Sequence, residues 1–313
     1  MKALITGVNG FVGRHLEQFL LSNDYEVWGS SRSDLDVEEN WLNRIQLDFN
    51  NVDKLTSVIN DLKPDYVFHL AAQSSVKKSW DNIELTLNSN VINSAKLFEA
   101  IMRSEIVGNC KVLSVGSSEE YGILPQESMP IKEESNLNPI NPYGISKVSQ
   151  YMLTKLYAKL GLQIVHVRPF NHIGPGQDLG FVVSDFSNQI AKIEANKINP
   201  IMNVGNLSAK RDFLDVRDII RAYVDIISSG ISGEVYNICS SKPVAISDLL
   251  DTLVSLSSQN IEVKIDPKLL RVVDIPQYVG DNSKIRRLIS WQPNISLEET
   301  LRDTLDYWRR KGN

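Results

Sequence analysis

The sequence predicts an α/β fold, in which a Rossmann-type doubly wound parallel sheet carries a smaller, interleaved C-terminal domain. Two observations support this prediction. Short apolar strands alternate with helical stretches over the first 170 residues, and a glycine-rich turn directly follows the first strand. Such alternation is typical of a parallel sheet covered by helices on both faces. After residue 170 the rhythm becomes irregular, which indicates a second, smaller domain.

Apolar periodicity predicts the individual elements in chain order. Strands are predicted at residues 2–6, 25–30, 44–47, 65–70, 111–115, 162–168 and 235–238. Helices are predicted at residues 11–22, 52–62, 84–104, 142–160, 182–195 and 213–228. The rest of the chain mixes helices with short strands.

The composition argues against several classes of protein. The chain has 313 residues, a formal net charge of −5 and a pI near 5.5, a balance that disfavours nucleic-acid binding. No apolar run approaches the ~18 residues that a membrane span requires, so we expect no membrane association and a cytoplasmic location. Cys110 and Cys239 are expected to be buried, reduced thiols. The histidines show no ligand spacing, so no metal site is expected.

The segment of residues 6–13 carries a specific motif. Gly7 permits a tight turn, Gly10 lets the backbone approach a pyrophosphate, and Gly13 lets the helix pack closely on the strand. The helix that follows offers free N–H groups and a positive dipole end to the phosphates. Because the motif stands between a strand and a helix, it predicts a dinucleotide-binding loop. The other residues expected to contact the cofactor in this loop are Asn9, Phe11 and Val12.

The end of the second strand bears on which dinucleotide binds. NAD-binding folds usually place a carboxylate there to hold the ribose 2′-OH, whereas this chain has Ser31 and Arg32. Arg32 can pair with a 2′-phosphate, which favours NADP(H) over NAD(H). Asp34 lies close enough to keep NAD(H) as the alternative, and Arg32 as a solvated loop charge is the other interpretation.

Two further strand ends complete the predicted cofactor site. Asp48, followed by Phe49, ends the third strand, where it either contacts the adenine edge or caps the next helix. His69 ends the fourth strand and is either part of the site or a satisfied buried histidine. The small and apolar residues after it would let phosphate and ribose approach closely, namely Leu70, Ala71 and Ala72.

A tyrosine and a lysine at helical spacing predict a proton donor. Asn141 suits an N-cap and Pro142 the first helical position, so Tyr143 and Lys147 lie on one helix face. A neighbouring ammonium favours phenolate, so we expect Lys147 to lower the pKa of Tyr143. The alternative is an exposed pair without a role. The apolar stripe of the helix points nearly the opposite way and comprises Ile145, Val148, Met152 and Leu156.

Ser117 follows the fifth predicted strand and is the first candidate to hydrogen-bond a substrate carbonyl oxygen together with Tyr143. Ser118 is the second candidate. Strand ends in open α/β sheets are the places where ligands bind. Solvation of the loop is the alternative interpretation of both serines.

The glycine motif, Ser117, Tyr143 and Lys147 together resemble the extended short-chain dehydrogenase/reductase superfamily over essentially the whole chain. Finer features resemble GDP-6-deoxy-4-keto-D-mannose reductases, which form GDP-D-rhamnose. The similar segments are residues 168–177, 211–218, 270–276 and 280–284. The resemblance implies a cytoplasmic homodimer that uses a reduced nicotinamide, more often NADPH. It also implies that Tyr143 protonates the substrate, Ser117 holds the oxygen, and Lys147 binds ribose and tunes Tyr143.

The resemblance further implies that the chain is divided into two domains with different ligands. Residues 1–170 plus 211–238 would form the dinucleotide-binding Rossmann domain, and residues 171–210 plus 239–313 would form the nucleotide-sugar-binding domain. Arginines are suited to a diphosphate because they can donate two parallel hydrogen bonds. The residues expected to bind a GDP-sugar are Ser118, Glu119, Asn171, Arg211 and Arg271.

Glu119 leaves other reactions open. In the related GDP-mannose 4,6-dehydratases a glutamate at the matching place acts as a base, within a Thr-Ser-Glu motif where this chain has Ser117-Ser118-Glu119. A nucleotide-sugar 4-epimerase with tightly bound NAD is a second alternative. A cofactor-sensing binding module is the non-enzymatic alternative, but such proteins commonly lose the tyrosine and lysine that this chain keeps.

The helix at 142–160 also suggests a partner subunit, because apolar and aromatic residues extend beyond its main stripe. A helix that is apolar around much of its circumference is buried on two sides. A second copy would supply the other side, with the 84–104 helix as neighbour; burial within the monomer is the alternative. The residues off the stripe are Tyr151, Leu153, Tyr157 and Ala158.

Overall fold

The computed structural model describes residues 1–30, 43–269 and 275–312. Its strands, in chain order, are β1 (Lys2–Thr6), β2 (Glu26–Ser30), β3 (Arg44–Ile45), β4 (Tyr66–His69), β5 (Lys111–Val115), β6 (Gln163–Pro169), β7 (Asn171–Ile173), β8 (Ile201–Val204), β9 (Lys210–Asp215), β10 (Val235–Ile238), β11 (Pro243–Ala245), β12 (Glu262–Ile265) and β13 (Gln277–Tyr278).

The α-helices of the described residues pack on both faces of the main sheet and around the smaller sheets. They are α1 (Phe11–Ser22), α2 (Val52–Leu62), α3 (Val76–Asp81), α4 (Ile83–Leu87), α5 (Asn93–Arg103), α6 (Pro142–Lys159), α7 (Val182–Glu194), α8 (Val216–Ser229), α9 (Ile246–Ser255), α10 (Ser283–Ile289) and α11 (Leu297–Gly312).

The main sheet has the order β10-β6-β5-β4-β1-β2-β3, and every pair in it is parallel. The chain reverses its direction of winding at β1, which lies between β2 and β4. In open α/β sheets ligands bind at such a switch point, outside the carboxyl ends of the strands. This architecture confirms the predicted doubly wound α/β fold.

The two faces of the main sheet pack against different helices because alternate residues of a strand point to opposite sides. In β1, Ala3 and Ile5 pack with residues of α1 and α8, whereas Leu4 packs with residues of α2 and α5. All three side chains are fully buried. Strands buried on both faces read as continuous apolar runs, and this is the pattern that predicted them.

The smaller sheets are built from later parts of the chain. Strand β9 pairs with β7, β11 and β13, and β8 pairs with β12. An apolar core beneath them draws on α7, α9 and α11. The predicted division placed residues 211–238 with the dinucleotide-binding domain, but β9 pairs within the second group of strands while β10 joins the main sheet. The domain boundaries themselves stay a prediction.

Some predicted elements are confirmed at both ends, and two predicted helices differ from the structure. The strand at 2–6 and the helices at 11–22 and 52–62 are confirmed at both ends. The helix predicted at 213–228 is wrong at its start, because residues 213–215 extend β9 and the Asp215 carboxylate then accepts the Arg217 N–H at 2.7 Å as the cap of α8. The helix predicted at 84–104 is interrupted by a π-helical turn at Asn88–Ile92.

Both cysteines are buried and free, as predicted. Within the described residues, no helix is long and apolar enough to cross a membrane. In the same part of the chain, no group of three or more His, Cys, Asp or Glu side chains could hold a metal ion.

Candidate active site

The glycine loop lies at the switch point, between the ends of β1 and β4. Gly7 has a φ of +75°, and a Cβ there would lie 2.9 Å from the Ala71 backbone, so only glycine fits. A Cβ at Gly13 would lie 2.5 Å from the Val8 carbonyl oxygen. These two contacts explain why the turn is tight and why α1 starts so close to the strand.

Gly10, between the other two glycines, is exposed and borders an opening at the surface. Among the described residues, the Gly7 carbonyl oxygen, at 3.3 Å, is the only atom that a Cβ at Gly10 would meet. Gly10 is the N-cap of α1 and offers its helix no side-chain hydrogen bond. The first N–H groups of α1 therefore point into the opening, where a phosphate would accept them. This cradle fits the pyrophosphate of a dinucleotide.

Residues predicted around the rest of the cofactor lie along the same edge. The half-buried residues there are Asn9, Phe11, Val12, Leu70, Ala71 and Ala72. Asp48 and Phe49 help to line a cavity of about 660 Å³ beside α2. Asp48 accepts the Asn50 N–H at 2.9 Å, while Asn51 caps α2, so the capping alternative for Asp48 is wrong. Ser31, Arg32 and Asp34 lie outside the described residues.

His69 is held inside the sheet edge by two partners. Its ring nitrogens hydrogen-bond the Thr6 and Ser94 hydroxyls, both at 2.8 Å. Burial lowers the pKa of His69 to about 3, so the ring is neutral at physiological pH. The satisfied buried histidine is therefore the interpretation that the contacts support.

Ser117, Tyr143 and Lys147 lie together at the carboxyl ends of β5 and β6. Ser117 lies close enough to Tyr143 for its hydroxyl to lower the pKa of the phenol, and the Lys147 Nζ lies 5.8 Å from the centre of the Tyr143 ring. Lys147 donates to the Val115 carbonyl oxygen at 2.7 Å and to Gln150 Oε1 at 2.9 Å. Ser117 Oγ accepts the Glu119 N–H at 3.1 Å, and the hydroxyl proton of Ser117 can therefore be donated to a different acceptor.

Helix α6 carries two of these side chains and is capped as predicted. Asn141 accepts the Gly144 N–H at 2.8 Å, and Pro142 occupies the first turn. The face with Tyr143 and Lys147 is buried, whereas most of the apolar stripe opposite it is exposed, with Ile145 at 48%; Val148 of this stripe is half-buried. The helix therefore packs on the sheet through its polar face. Leu153, Tyr157 and Ala158 pack against the core within the monomer.

The electrostatics of the pair differ from the expectation. Burial raises the pKa of Tyr143 above its usual value, and the nearby Ser117 hydroxyl opposes this rise only in part. The predicted lowering of the Tyr143 pKa is therefore wrong, because desolvation of the phenolate raises this pKa and the Glu119 and Glu120 carboxylates add to the rise. Burial also lowers the pKa of Lys147, to about 8. At neutral pH the site holds a protonated phenol beside a largely protonated amine.

The described residues among those predicted to bind substrate have different surroundings. Ser118 is buried, and its carbonyl oxygen accepts the Tyr278 hydroxyl at 2.7 Å. Glu119 accepts the Asn141 side-chain amide at 2.8 Å. Asn171 is exposed and donates to the Asp212 carbonyl oxygen at 3.2 Å.

Arg211 lies on β9, beside β7, and donates to the Ile275 carbonyl oxygen at 2.7 Å. Arg271, the second predicted diphosphate ligand, lies outside the described residues. The structure therefore brings the catalytic candidates together and places Asn171 and Arg211 on neighbouring strands.

Asn90 is a buried residue that the sequence analysis missed. It lies in the π-helical turn, donates to Ser146 Oγ at 2.9 Å and accepts the Gln73 N–H at 2.7 Å. Ser146 in turn donates to the Tyr143 carbonyl oxygen at 2.6 Å, so Asn90 holds the first turn of α6. Interruptions of this kind often occur at functional sites, but the apolar pattern gives no sign of them.

Glu120, His166 and Arg168 were also missed as a cluster. The Glu120 carboxylate meets His166 Nε2 at 2.9 Å and Arg168 Nε at 2.6 Å, and all three side chains are buried. The Ser117 N–H donates to the same carboxylate at 3.0 Å.

Chemically, the carboxyl edge of the main sheet offers a proton donor, an oriented hydroxyl, a buried ammonium and an anion cradle.

Comparison with known proteins adds to this geometry. The family model described as GDP-mannose 4,6 dehydratase matches residues 4–304. The GDP-6-deoxy-D-mannose reductase of Pseudomonas aeruginosa is 30% identical over 311 residues, which cover 99% of this chain and 98% of that protein. The UDP-glucose 4-epimerase of Mycolicibacterium smegmatis is 30% identical over 325 residues, with both proteins fully covered. The solved structure of RMD from Pseudomonas aeruginosa, complexed with NADPH, matches with a TM-score of 0.86 at 29% identity and 99% coverage of each chain.

Proposed function

The chain belongs to the GDP-mannose 4,6-dehydratase family, and we propose that this protein reduces the 4-keto group of GDP-4-keto-6-deoxy-D-mannose to give GDP-D-rhamnose. The observation that carries the proposal is the cluster of Ser117, Tyr143 and Lys147 beside the open glycine loop. The full-length similarity to a GDP-6-deoxy-D-mannose reductase supports this reaction.

NADPH is the proposed cofactor, with NADH as the alternative. RMD, a similar structure, was solved in complex with NADPH. Gly7, Gly10 and the N-terminus of α1 would hold the pyrophosphate, and Asp48 and Phe49 would lie near the adenine. Ser31 and Arg32 would read the 2′-phosphate. When bound, the reduced nicotinamide supplies the hydride.

Tyr143 would donate its proton to the substrate oxygen as that oxygen gains negative charge. The raised pKa keeps the phenol protonated, which is the form that a reduction consumes. The Ser117 hydroxyl would hold the same oxygen and stabilise its charge. Lys147 would bind the ribose hydroxyls with its remaining donor and provide positive charge beside Tyr143.

Substrate recognition would involve residues of the second group of strands and residues of the turn after β5. Arg211 and Arg271 would pair with the diphosphate, and Asn171, Ser118 and Glu119 would face the sugar. The hydrogen bond from Asn141 to Glu119 ties this carboxylate to the cap of α6. That contact gives Glu119 a structural partner.

The central experiment measures NADPH oxidation with GDP-4-keto-6-deoxymannose, followed by NMR of the product. We expect stoichiometric conversion to GDP-D-rhamnose. Parallel incubations contain GDP-mannose with NADP⁺, and UDP-glucose without added cofactor. Formation of a 4-keto-6-deoxy sugar in the first, or of UDP-galactose in the second, without reductase turnover would replace the proposal by a dehydratase or an epimerase.

The Tyr143→Phe substitution removes the proton donor and little else. Since proton transfer by a positioned group contributes about 10²- to 10⁴-fold, we expect kcat to fall within this range while the Kd for NADPH changes less than about threefold. Steady-state kinetics and NADPH fluorescence measure the two effects. The control is Tyr307→Phe on α11, which should behave like the wild type. Near-normal turnover of Tyr143→Phe would remove Tyr143 from the mechanism.

The pH profile should report the ionisation of Lys147. Its pKa is lowered to about 8, so the ammonium is lost as the pH rises through this value. Because kcat/KM follows ionisations of the free enzyme, we expect it to decrease about tenfold per pH unit above that point. Lys147→Arg keeps a permanent charge and should lack this decrease, whatever its absolute activity. A wild-type profile that stays flat to about pH 9.5 would contradict the assignment.

We also propose a homodimer formed through the exposed apolar face of α6. Ile145, Met152 and Leu156 on this face are 48%, 50% and 51% exposed, and Leu85 and Ile92 on the neighbouring α4 and π-helical turn are 48% and 45% exposed. The two segments contact α6 directly, so their side chains extend one surface. Contiguous apolar surface of this kind marks an interaction site.

The dimer is tested by placing a charge in this surface. Met152→Asp and Leu156→Glu should convert the protein from a particle of twice 35.2 kDa to a monomer in sedimentation experiments, because neither carboxylate can be buried unpaired. Ile231→Glu, at an exposed residue after α8, is the control and should leave the dimer intact. A monomeric wild type at micromolar concentration would refute the dimer.

A further inference from the structure

The polar residues beneath the catalytic pair form one continuous hydrogen-bonded chain. Lys147 Nζ lies 2.9 Å from Gln150 Oε1, and Gln150 Nε2 lies 3.1 Å from Ser114 Oγ. Ser114 Oγ lies 3.2 Å from His166 Nδ1, and His166 Nε2 lies 2.9 Å from Glu120 Oε1. None of the five side chains is more than 3% exposed. The chain thus joins the ammonium of the active site to a carboxylate in the turn after β5.

The chemistry of the groups gives every bond in this chain the same direction. An ammonium can only donate, and an ionised carboxylate can only accept. Lys147 therefore donates to the Gln150 carbonyl, and the Gln150 amide donates to Ser114. A neutral His166 must then accept from Ser114 at Nδ1 and donate to Glu120 from Nε2. Bonds aligned in this way polarise one another and are strengthened together.

The ionisable groups around Lys147 make Glu120 its counter-charge. His69 faces it from β4, His166 from β6, Tyr143 from α6 and Glu120 from the turn after β5. Burial lowers the pKa of both histidines and raises that of Tyr143, so these three groups are neutral near pH 7. Glu120 is the ionised member of this set, because His166 and Arg168 keep its pKa below the usual value.

The same carboxylate also fixes the backbone that carries the catalytic hydroxyl. Glu120 Oε1 accepts the Ser117 N–H at 3.0 Å. A Cβ at Gly116 would lie 2.1 Å from Glu120 Oε1 and 2.2 Å from His166 Nε2, so the strand end lies directly against the pair. Any shift of the His166–Glu120 contact would move both Ser117 and the partners of Lys147.

We propose that His166 is a positioning residue, which joins the Ser117 turn to the Lys147 ammonium through Ser114, Gln150 and Glu120. This inference rests on the proposed function, since it assigns a role to residues around that catalytic pair. A residue with a merely structural role would lower the stability when replaced by an apolar side chain of similar volume, but it would leave kcat and its pH dependence unchanged. Replacement of a positioning residue would change both, because loss of its ring nitrogens would interrupt the chain.

Two substitutions interrupt the chain at different places. His166→Phe removes both ring nitrogens and keeps an aromatic ring, and Gln150→Met removes the amide and leaves the Glu120–His166–Arg168 cluster intact. We expect each to lower kcat about 10- to 100-fold, with the KM for the sugar nucleotide changed less than about threefold. Each should also move the alkaline decrease in kcat/KM below pH 8, because the ammonium loses its link to the carboxylate.

The double variant separates a connected chain from two independent effects. Because either substitution breaks the same chain, His166→Phe with Gln150→Met should lie within about twofold of the worse single variant. The control is Thr154→Val, a buried position on α6 whose hydroxyl donates to the Gln150 carbonyl oxygen of its own helix, 3.1 Å away. It should keep the wild-type kcat and pH profile.

Some results would overturn the proposal. One is a decrease in kcat of the double variant that equals the product of the two single decreases. The other is a loss of thermal stability in the single variants while their kcat and the alkaline limb of their pH profile stay as in the wild type. If His166→Phe does not fold, Gln150→Met alone decides, through its kcat and its alkaline limb compared with those of the wild type. The pH dependence of NADPH affinity, read by fluorescence, follows Lys147 without any sugar substrate. Failure of the wild type to reduce the sugar would therefore reject the proposed function, whereas an unchanged binding profile in the variants would reject the role of His166.

Discussion

The geometry of the catalytic edge depends on one buried ion pair, between Glu120 and Arg168. Both side chains are at most 1% exposed, and a buried charge is tolerated only where it is paired and hydrogen-bonded. The Glu120 carboxylate meets this condition through three donors, and one of them is the Ser117 backbone. The guanidinium of Arg168 lies between the rings of Tyr121 and Tyr151, with its central carbon 4.7 and 4.5 Å from their centres.

Because Tyr121 follows the Ser117 turn and Tyr151 lies on α6, the ion pair fixes two elements that carry the catalytic groups. Removal of either charge would leave the other buried without compensation, so the pair constrains the edge more strongly than a surface salt bridge would. The same edge is joined to the smaller sheets by the Tyr278 hydroxyl, which donates to Ser118 O at 2.7 Å. Asp212 adds a second link by accepting the N–H groups of Ser240 and Gly280 at 2.7 and 3.2 Å.

The features that the sequence predicted well are those in which neighbouring residues carry the whole signal. The glycine loop is formed by its own backbone and the adjacent helix, so its residues are neighbours in the sequence. Asn141 caps α6 through the N–H of Gly144, three residues later. The Glu120 cluster was missed because its members lie 46 and 48 residues apart, and only the pairing of β5 with β6 brings them together. The start of α8 was missed because Asp215, which caps it, reads as part of an amphipathic run.

The pKa of Tyr143 could not be predicted for a related reason. The spacing of Tyr143 and Lys147 shows that an ammonium is near, but it does not show that both groups are withdrawn from water. Desolvation depends on the turn after β5 and on the sheet beneath α6, which belong to other parts of the sequence. Desolvation is the largest cause of the shift and raises the pKa of the phenol, whereas the spacing alone predicted a lower pKa.

Helix α6 breaks the usual rule that an apolar face points inward. Its buried face carries Ser146, Lys147, Gln150 and Thr154, because this face must supply the donors and acceptors of the catalytic edge. Such a face contributes little hydrophobic stabilisation, whereas burial of each large apolar side chain contributes about 1.5–3 kcal/mol. Ile145, Met152 and Leu156 are consequently on its outer face, where only another protein surface can bury them. The exposed stripe and the polar active site thus both follow from the need for polar groups on the buried face of α6. A second copy of the chain would bury the stripe and so supply the hydrophobic stabilisation that the polar face does not provide.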